Sequence, residues 1–175
     1  MANNDSTIVT GLEATPSSVA NAADLYGKQR TLVDTFEVAA ADSDGDTYTF
    51  FPVALDARID DLEIVNDAIT GGTDYDFGFY KITDNDLGAV IDADILMDGQ
   101  SMASARGTWT SVLFSGTGAM DQGAVKQRLW ETLGYASLTA ARDANQTNQV
   151  YFVMTANTVG SATGTVSAKL TITVE

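Results

Sequence analysis

Between Thr163 and Val174 the chain keeps a strict two-residue period: Val166, Ala168, Leu170, Ile172 and Val174 alternate with Thr165, Ser167, Lys169, Thr171 and Thr173. Successive side chains of a strand point to opposite faces, so such a segment buries one row and leaves the other in water. A helix would smear both rows around its surface. A strand this long needs neighbours in a sheet and a second layer against its apolar row.

The same period recurs upstream. Leu32, Phe36 and Val38 alternate with Thr35 and Glu37, and Leu62 and Ile64 alternate with Asp61 and Glu63 within Arg58 to Asn66. Thr47 to Val53 is a β-branched and aromatic run that carries Pro52 near its end. From Asp74 to Ile82, Tyr75, Phe77 and Phe79 take one face, while Asp74, Asp76, Gly78 and Tyr80 take the other. Three aromatic rings on one face bury a large area and imply a packed sheet opposite. Thr108 to Phe114 and Val150 to Ala156 complete the strand-like runs. Turn chemistry separates them: Asp42-Ser43-Asp44-Gly45-Asp46, Asp67 to Thr73 with Gly71 and Gly72, and Asp84-Asn85-Asp86. Leu87 to Met97 alternates less clearly and admits a short helix.

One helix is expected over Lys126 to Leu133. Val125, Leu129, Trp130 and Leu133 share a face, and Gly134 stands where a left-handed cap belongs. Leu138 to Asp143 adds a turn after Ser137. Together these elements predict an all-β fold, a two-sheet antiparallel sandwich of jelly-roll type with one short helix in a crossover.

The first thirty residues differ in kind. They are rich in Ala, Ser, Thr and Asn and hold few large apolar side chains. Thr15-Pro16 suits a helix start, with Val19, Ala22, Ala23 and Tyr26 on one face before Gly27; an extended arm fits equally well. The expected organisation is an N-terminal arm or docking segment over residues 1–30 and a sandwich domain over 31–175. Ile8, Val9 and Leu12 are the arm's candidate apolar anchors, and Lys28 and Arg30 its candidate charged contacts with a partner. Neither a basic start followed by an apolar stretch nor a bilayer-length apolar run occurs, so synthesis in the cytosol is expected.

Charge narrows the partners. Nine Lys and Arg face 24 Asp and Glu, for a formal net charge of -15. Nucleic acid and anionic membrane surfaces both draw their binding from protein cations, so neither is an expected partner. The chain has no cysteine and no histidine. That removes disulfides, thiolate chemistry, the histidine-dependent triads and nearly every zinc or non-haem iron site. No catalytic residue, cofactor or metal is expected.

Asp42, Asp44 and Asp46 have the spacing that opens a calcium loop, but Thr47 and Val53 occupy the positions that need glycine and a bidentate glutamate. A solvated hairpin turn accounts for the same residues. Gly116-Thr117-Gly118 lacks the lysine and the strand-to-helix setting of a phosphate loop. Trp109, Tyr48 and Tyr80 are candidate sugar-stacking aromatics, against the alternative that each packs in the core or at its rim. Paired carboxylates of a glycosidase would have to meet across long sequence separations.

The stretch DTYTFFPVALDARIDDLEIVNDAITGGTDYDFGFY (Asp46 to Tyr80) resembles a module found in structural proteins of tailed bacteriophages. GAVIDADILMDGQSM (Gly88 to Met102), LWETLG (Leu129 to Gly134) and the alternating C-terminal strand fit the same pattern, over roughly Thr31 to Glu175. The resemblance implies a capsid decoration or cement protein, located in the virion and made in the host cytoplasm. It implies two partners, the major capsid protein and the chain's own copies as a homo-oligomer, a trimer by the family pattern. Other phage components (neck, tail or head fibre) and a carbohydrate-binding module remain the alternatives.

Overall fold

The computed structural model describes residues 3–5, 29–114, 120, 123–124 and 127–174. The strands are β1 (Asn3–Asp5), β2 (Gln29–Val38), β3 (Asp46–Ala54), β4 (Arg58–Asn66), β5 (Asp74–Thr83), β6 (Asp86–Gln100), β7 (Arg106–Ser111), β8 (Gln149–Thr158) and β9 (Gly164–Thr173). Two short helices, α1 (Leu129–Thr132) and α2 (Leu138–Asn145), lie between β7 and β8. Ile8, Val9, Leu12 and Lys28, the Thr15–Gly27 segment, Gly116-Thr117-Gly118 and the Val125-Lys126 start of the expected helix lie outside the described residues.

The strands form one sheet in the order β1-β3-β8-β5-β6 and another in the order β2-β9-β4-β7. Strand β2 pairs with β9, β3 with β8, β4 with β7 and β5 with β6, all antiparallel. That is a single antiparallel ribbon, with the β5–β6 turn at its tip, rolled so that β8 also meets β5 and β9 also meets β4. Rolling such a ribbon produces the jelly roll that the sequence predicts. The three residues of β1 add a parallel edge beside Thr47 to Thr49.

The rows read from the sequence pack against each other. Val166, Ala168, Leu170 and Ile172 are buried, as are Tyr75, Phe77 and Phe79 across the core. Phe152 stands at its centre, with ring centroids of Phe50 at 5.3 Å, Phe51 at 5.4 Å, and Phe77 and Phe79 each at 6.0 Å. Offset and tilted contacts of this kind add to the stabilisation from area alone.

Three local expectations are corrected. Leu87 to Met97 is strand, within β6, because the broken alternation comes from bulges: between Phe77 and Phe79 of β5 the partner position moves from Met97 to Asp92. Asp76, Gly78 and Tyr80, expected on a polar outer face, are buried. The extra residues of β6 explain much of this, since its Asp92–Ala93 backbone lies over Gly78. The longer helix is α2, not the Lys126–Leu133 segment. Ser137 caps it through its hydroxyl, which accepts from the Ala140 N–H at 3.1 Å. Helix α1 is one turn, ended by Leu133 and by Gly134 at φ +79°. It is tied to the sandwich, where Leu129 N–H donates to Ala57 and Trp130 N–H to Leu55.

Candidate interaction surfaces

The loops after β2, β4, β6 and β8 gather at one end of the sandwich, and they are acidic. Asp42, Asp44, Asp46, Asp67, Asp74, Asp76 and Asp98 all lie in or beside them; the cation of this end, among the described residues, is Arg106. Most of these carboxylates are occupied by the protein's own donors. Asp42 Oδ2 accepts from Ala39 N–H at 2.8 Å and from the Tyr48 hydroxyl at 2.7 Å. Asp44 accepts from Val159 N–H at 3.0 Å, Asp46 from Ser43 N–H at 2.9 Å and Asp67 from Thr165 N–H at 3.1 Å. A carboxylate that takes a loop N–H supplies the acceptor that a strand partner would otherwise provide. Asp42, Asp44 and Asp46 therefore act as loop fasteners, each on a different donor, and do not converge.

A different acidic group does converge. Carboxylate oxygens of Asp74, Asp76 and Asp98 lie within 4.8 Å of one another. Asp76 sits deepest, with Oδ1 accepting from Gly99 N–H at 2.9 Å and Oδ2 from the Asn157 amide at 2.6 Å. The same amide reaches Asp74 at 3.3 Å. Burial holds the Asp76 carboxyl above the usual carboxylate range; the two hydrogen bonds pull it down, while Asp74 and Asp98 add to the rise. Burial, and the Asp94 carboxylate that accepts a hydrogen bond from protonated Asp92, raise Asp92 in the same direction. Sequence reading missed the group because Asp98 comes from β6, whose register is bulged, and only that register brings it beside β5.

The aromatic candidates separate. Tyr48 is fully buried, and burial together with Asp42 pushes its phenol far above the usual tyrosine range. Tyr80 is buried with its hydroxyl 2.9 Å from that of Thr155. Neither offers a ring to a ligand. Trp109 does, being 40 % exposed on β7. The Lys169 ammonium lies 5.0 Å from its ring centroid, and Lys169 also pairs with Glu63. Arg30 lies opposite Ile172 in the β2–β9 ladder and is half-buried, on the strand face that carries Phe36 and Val38.

The two sheets differ in their outer faces. Residues 46–51 of β3, 75–80 of β5 and 150–156 of β8 are buried without a break, so the middle of that sheet is covered on both sides. The β2-β9-β4-β7 sheet keeps an open face of Thr31, Val33, Thr35, Ser167, Lys169, Thr171, Glu63 and Trp109, none of them buried. Two shallow depressions flank the C-terminal end of α2; one holds Asp143 and the other Asp84 as its carboxylate. Neither brings two acids together as a glycosidase requires. No described helix is long and apolar enough to cross a membrane.

With this geometry in view, the chain is similar in fold to a chain in the capsid of Ralstonia phage GP4. The TM-score is 0.63 and the identity 13 %, over 99 % of this chain and 99 % of that one. The likeness is one of fold. A chain in the Cyanophage Pam1 capsid asymmetric unit is matched at a TM-score of 0.47 and 13 % identity, over 93 % of this chain and 96 % of that one. No protein-family model and no curated protein matches the sequence.

Proposed function

We propose that this chain is a non-enzymatic structural component of a tailed-bacteriophage virion, and specifically a protein that binds and stabilises the outer surface of the capsid. The observation that carries the proposal is the fold match to a chain in a phage capsid over 99 % of each chain. Fold likeness alone does not transfer a role. Its weight here comes from agreement with the sequence resemblance to phage structural modules and with the surface.

That surface suits a shell component. The core is closed, and the open β2-β9-β4-β7 face presents hydroxyls, one ion pair and a tryptophan for contact. The partners are the major capsid protein of the same particle and further copies of the chain, a trimer in the family pattern. Residues 1–30 are the docking segment, with Ile8, Val9 and Leu12 as anchors and Lys28 and Arg30 as charged contacts.

The test is co-sedimentation with capsid shells assembled from the major capsid protein of the phage that encodes the chain. The full chain is expected to travel with shells, and a chain starting at Thr31 to remain in the supernatant while folded. Absence of the full chain from the shell fraction refutes the proposal. A second reading rests on Trp109: a glycan array probed with the chain and with Trp109→Ala would return Trp109-dependent binding if the exposed ring stacks on sugars.

A further inference from the structure

The two depressions at the C-terminal end of α2 share Gln146 and Thr147. The more enclosed one has a volume of about 430 Å³ and lies between the end of β5, the β5–β6 turn and the segment that joins α2 to β8. Among the described residues, three that are not glycine have a left-handed backbone: Asp84 at φ +53°, Asn85 at φ +66° and Gln146 at φ +58°. All three line this cavity. Asp and Asn adopt that conformation at modest cost in a two-residue hairpin turn. Glutamine is not favoured there, and a helix cap of this shape is usually glycine. The chain therefore keeps a long polar side chain where the backbone alone would favour none.

The lining is polar and balanced in charge. Lys81 is its cation and Asp84 its carboxylate. The Lys81 ammonium donates one proton to the Ala144 carbonyl at 3.0 Å, tying α2 to β5, and has two more to offer. The Tyr151 hydroxyl donates to the Asn85 carbonyl at 3.1 Å and holds the turn. Asn145 is 2 % exposed; its amide nitrogen donates to the Ala141 carbonyl at 2.7 Å and to the Tyr135 hydroxyl at 3.2 Å, and its side-chain oxygen has no partner. Buried acceptors without a donor are few in folded proteins. A bare anion entering the cavity meets Asp84, and a bare cation meets Lys81. A hydroxyl group both donates and accepts, so a ligand that carries several suits every group present.

We propose that this cavity is a binding site for a saccharide unit, recognised through its hydroxyls by the side chains of Lys81, Asp84, Asn85 and Gln146. Its volume falls within the range of small-molecule sites. Ile82 and Ala144 supply the apolar part of the lining. That surface is small, so affinity comes from hydrogen bonds that compete with water and lies in the millimolar range. The cavity stands at the end of the sandwich opposite the acidic loops, on a different sheet from Trp109. The proposal is independent of the capsid reading and of any stacking on Trp109, and it stands or fails without either.

The experiment is an NMR titration of the isotope-labelled full chain, beside Gln146→Gly and Asn85→Gly, with the methyl glycosides of glucose, galactose, mannose and N-acetylglucosamine. Glycine fits both left-handed positions, so each variant removes a lining side chain without straining the backbone. Inorganic phosphate and free glycine serve as the anionic and zwitterionic probes. At least one glycoside is expected to give saturable amide shifts confined to residues 81–85 and 144–147. Gln146→Gly and Asn85→Gly are each expected to weaken that binding by about tenfold, the loss of one or two hydrogen bonds. No saturable shift with any glycoside, binding unchanged in both variants, or tighter binding of phosphate or glycine at this cavity overturns the proposal. Glycoside shifts centred on Trp109 alone overturn it as well.

Discussion

Gly78 of β5 lies directly beneath Asp92 of β6: a β-carbon added at Gly78 would overlap the Asp92 carbonyl oxygen and the Ala93 backbone. The bulged half of β6 can fold over its neighbour only because this position carries no side chain. Gly78→Ala must push backbone aside, at a cost of about 2–4 kcal/mol. Urea unfolding would report this as a lower midpoint at unchanged slope. A midpoint within error of the wild type would mean that β6 does not lie where described.

Phe152 touches four other rings, and its removal leaves a cavity among them. Phe152→Ala is expected to cost about 3–5 kcal/mol. Phe152→Leu keeps much of the volume and should cost less than half as much. Thermal melts of the two variants check the order.

Asp76 makes stability depend on pH with a definite sign. Its carboxyl titrates above the ordinary 3.8 in the folded chain, so the fold holds that proton more tightly than the unfolded chain does. The contribution is full below the ordinary value and declines as pH climbs to the raised one. Asp76→Asn removes the ionisation, and its unfolding midpoint should change less with pH across that window than the wild type's. Parallel profiles would contradict the assignment.

Tyr48 donates to Asp42, closing the β2–β3 loop over the core. Tyr48→Phe should cost about 1.5–3 kcal/mol, the range for hydrogen bonds to charged groups. Burial, with help from Asp42 and Asp44, also pushes Tyr75 up to about 12. Alkaline absorbance titration is therefore expected to leave Tyr48 and Tyr75 un-ionised for as long as the fold holds. All tyrosines ionising in one step in the folded protein would count against both burials.

Much of the sandwich was legible from period alone. Strands β5 and β9 announce their inner rows because side chains alternate wherever a ladder is regular, and the order of the runs with their turns was enough for a jelly roll. What escaped notice sits where the ladder is irregular. Asp76 reads as an outward residue until β6 folds over it, and β6 itself looks unlike a strand because its bulges shift the row from face to face. The acidic turn residues look like a calcium loop or plain solvated turns, since their donors are remote. Asp44 finds Val159 115 positions away, and no local pattern carries that information.

The central claim is that this jelly roll is a part of a phage shell. Cryo-electron microscopy of particles purified from cells infected with the phage that encodes the chain tests it most directly. The account predicts jelly-roll density of this topology seated on the outside of the capsid in regular array. A shell map without that density, with the chain left in the particle-free lysate, would contradict it.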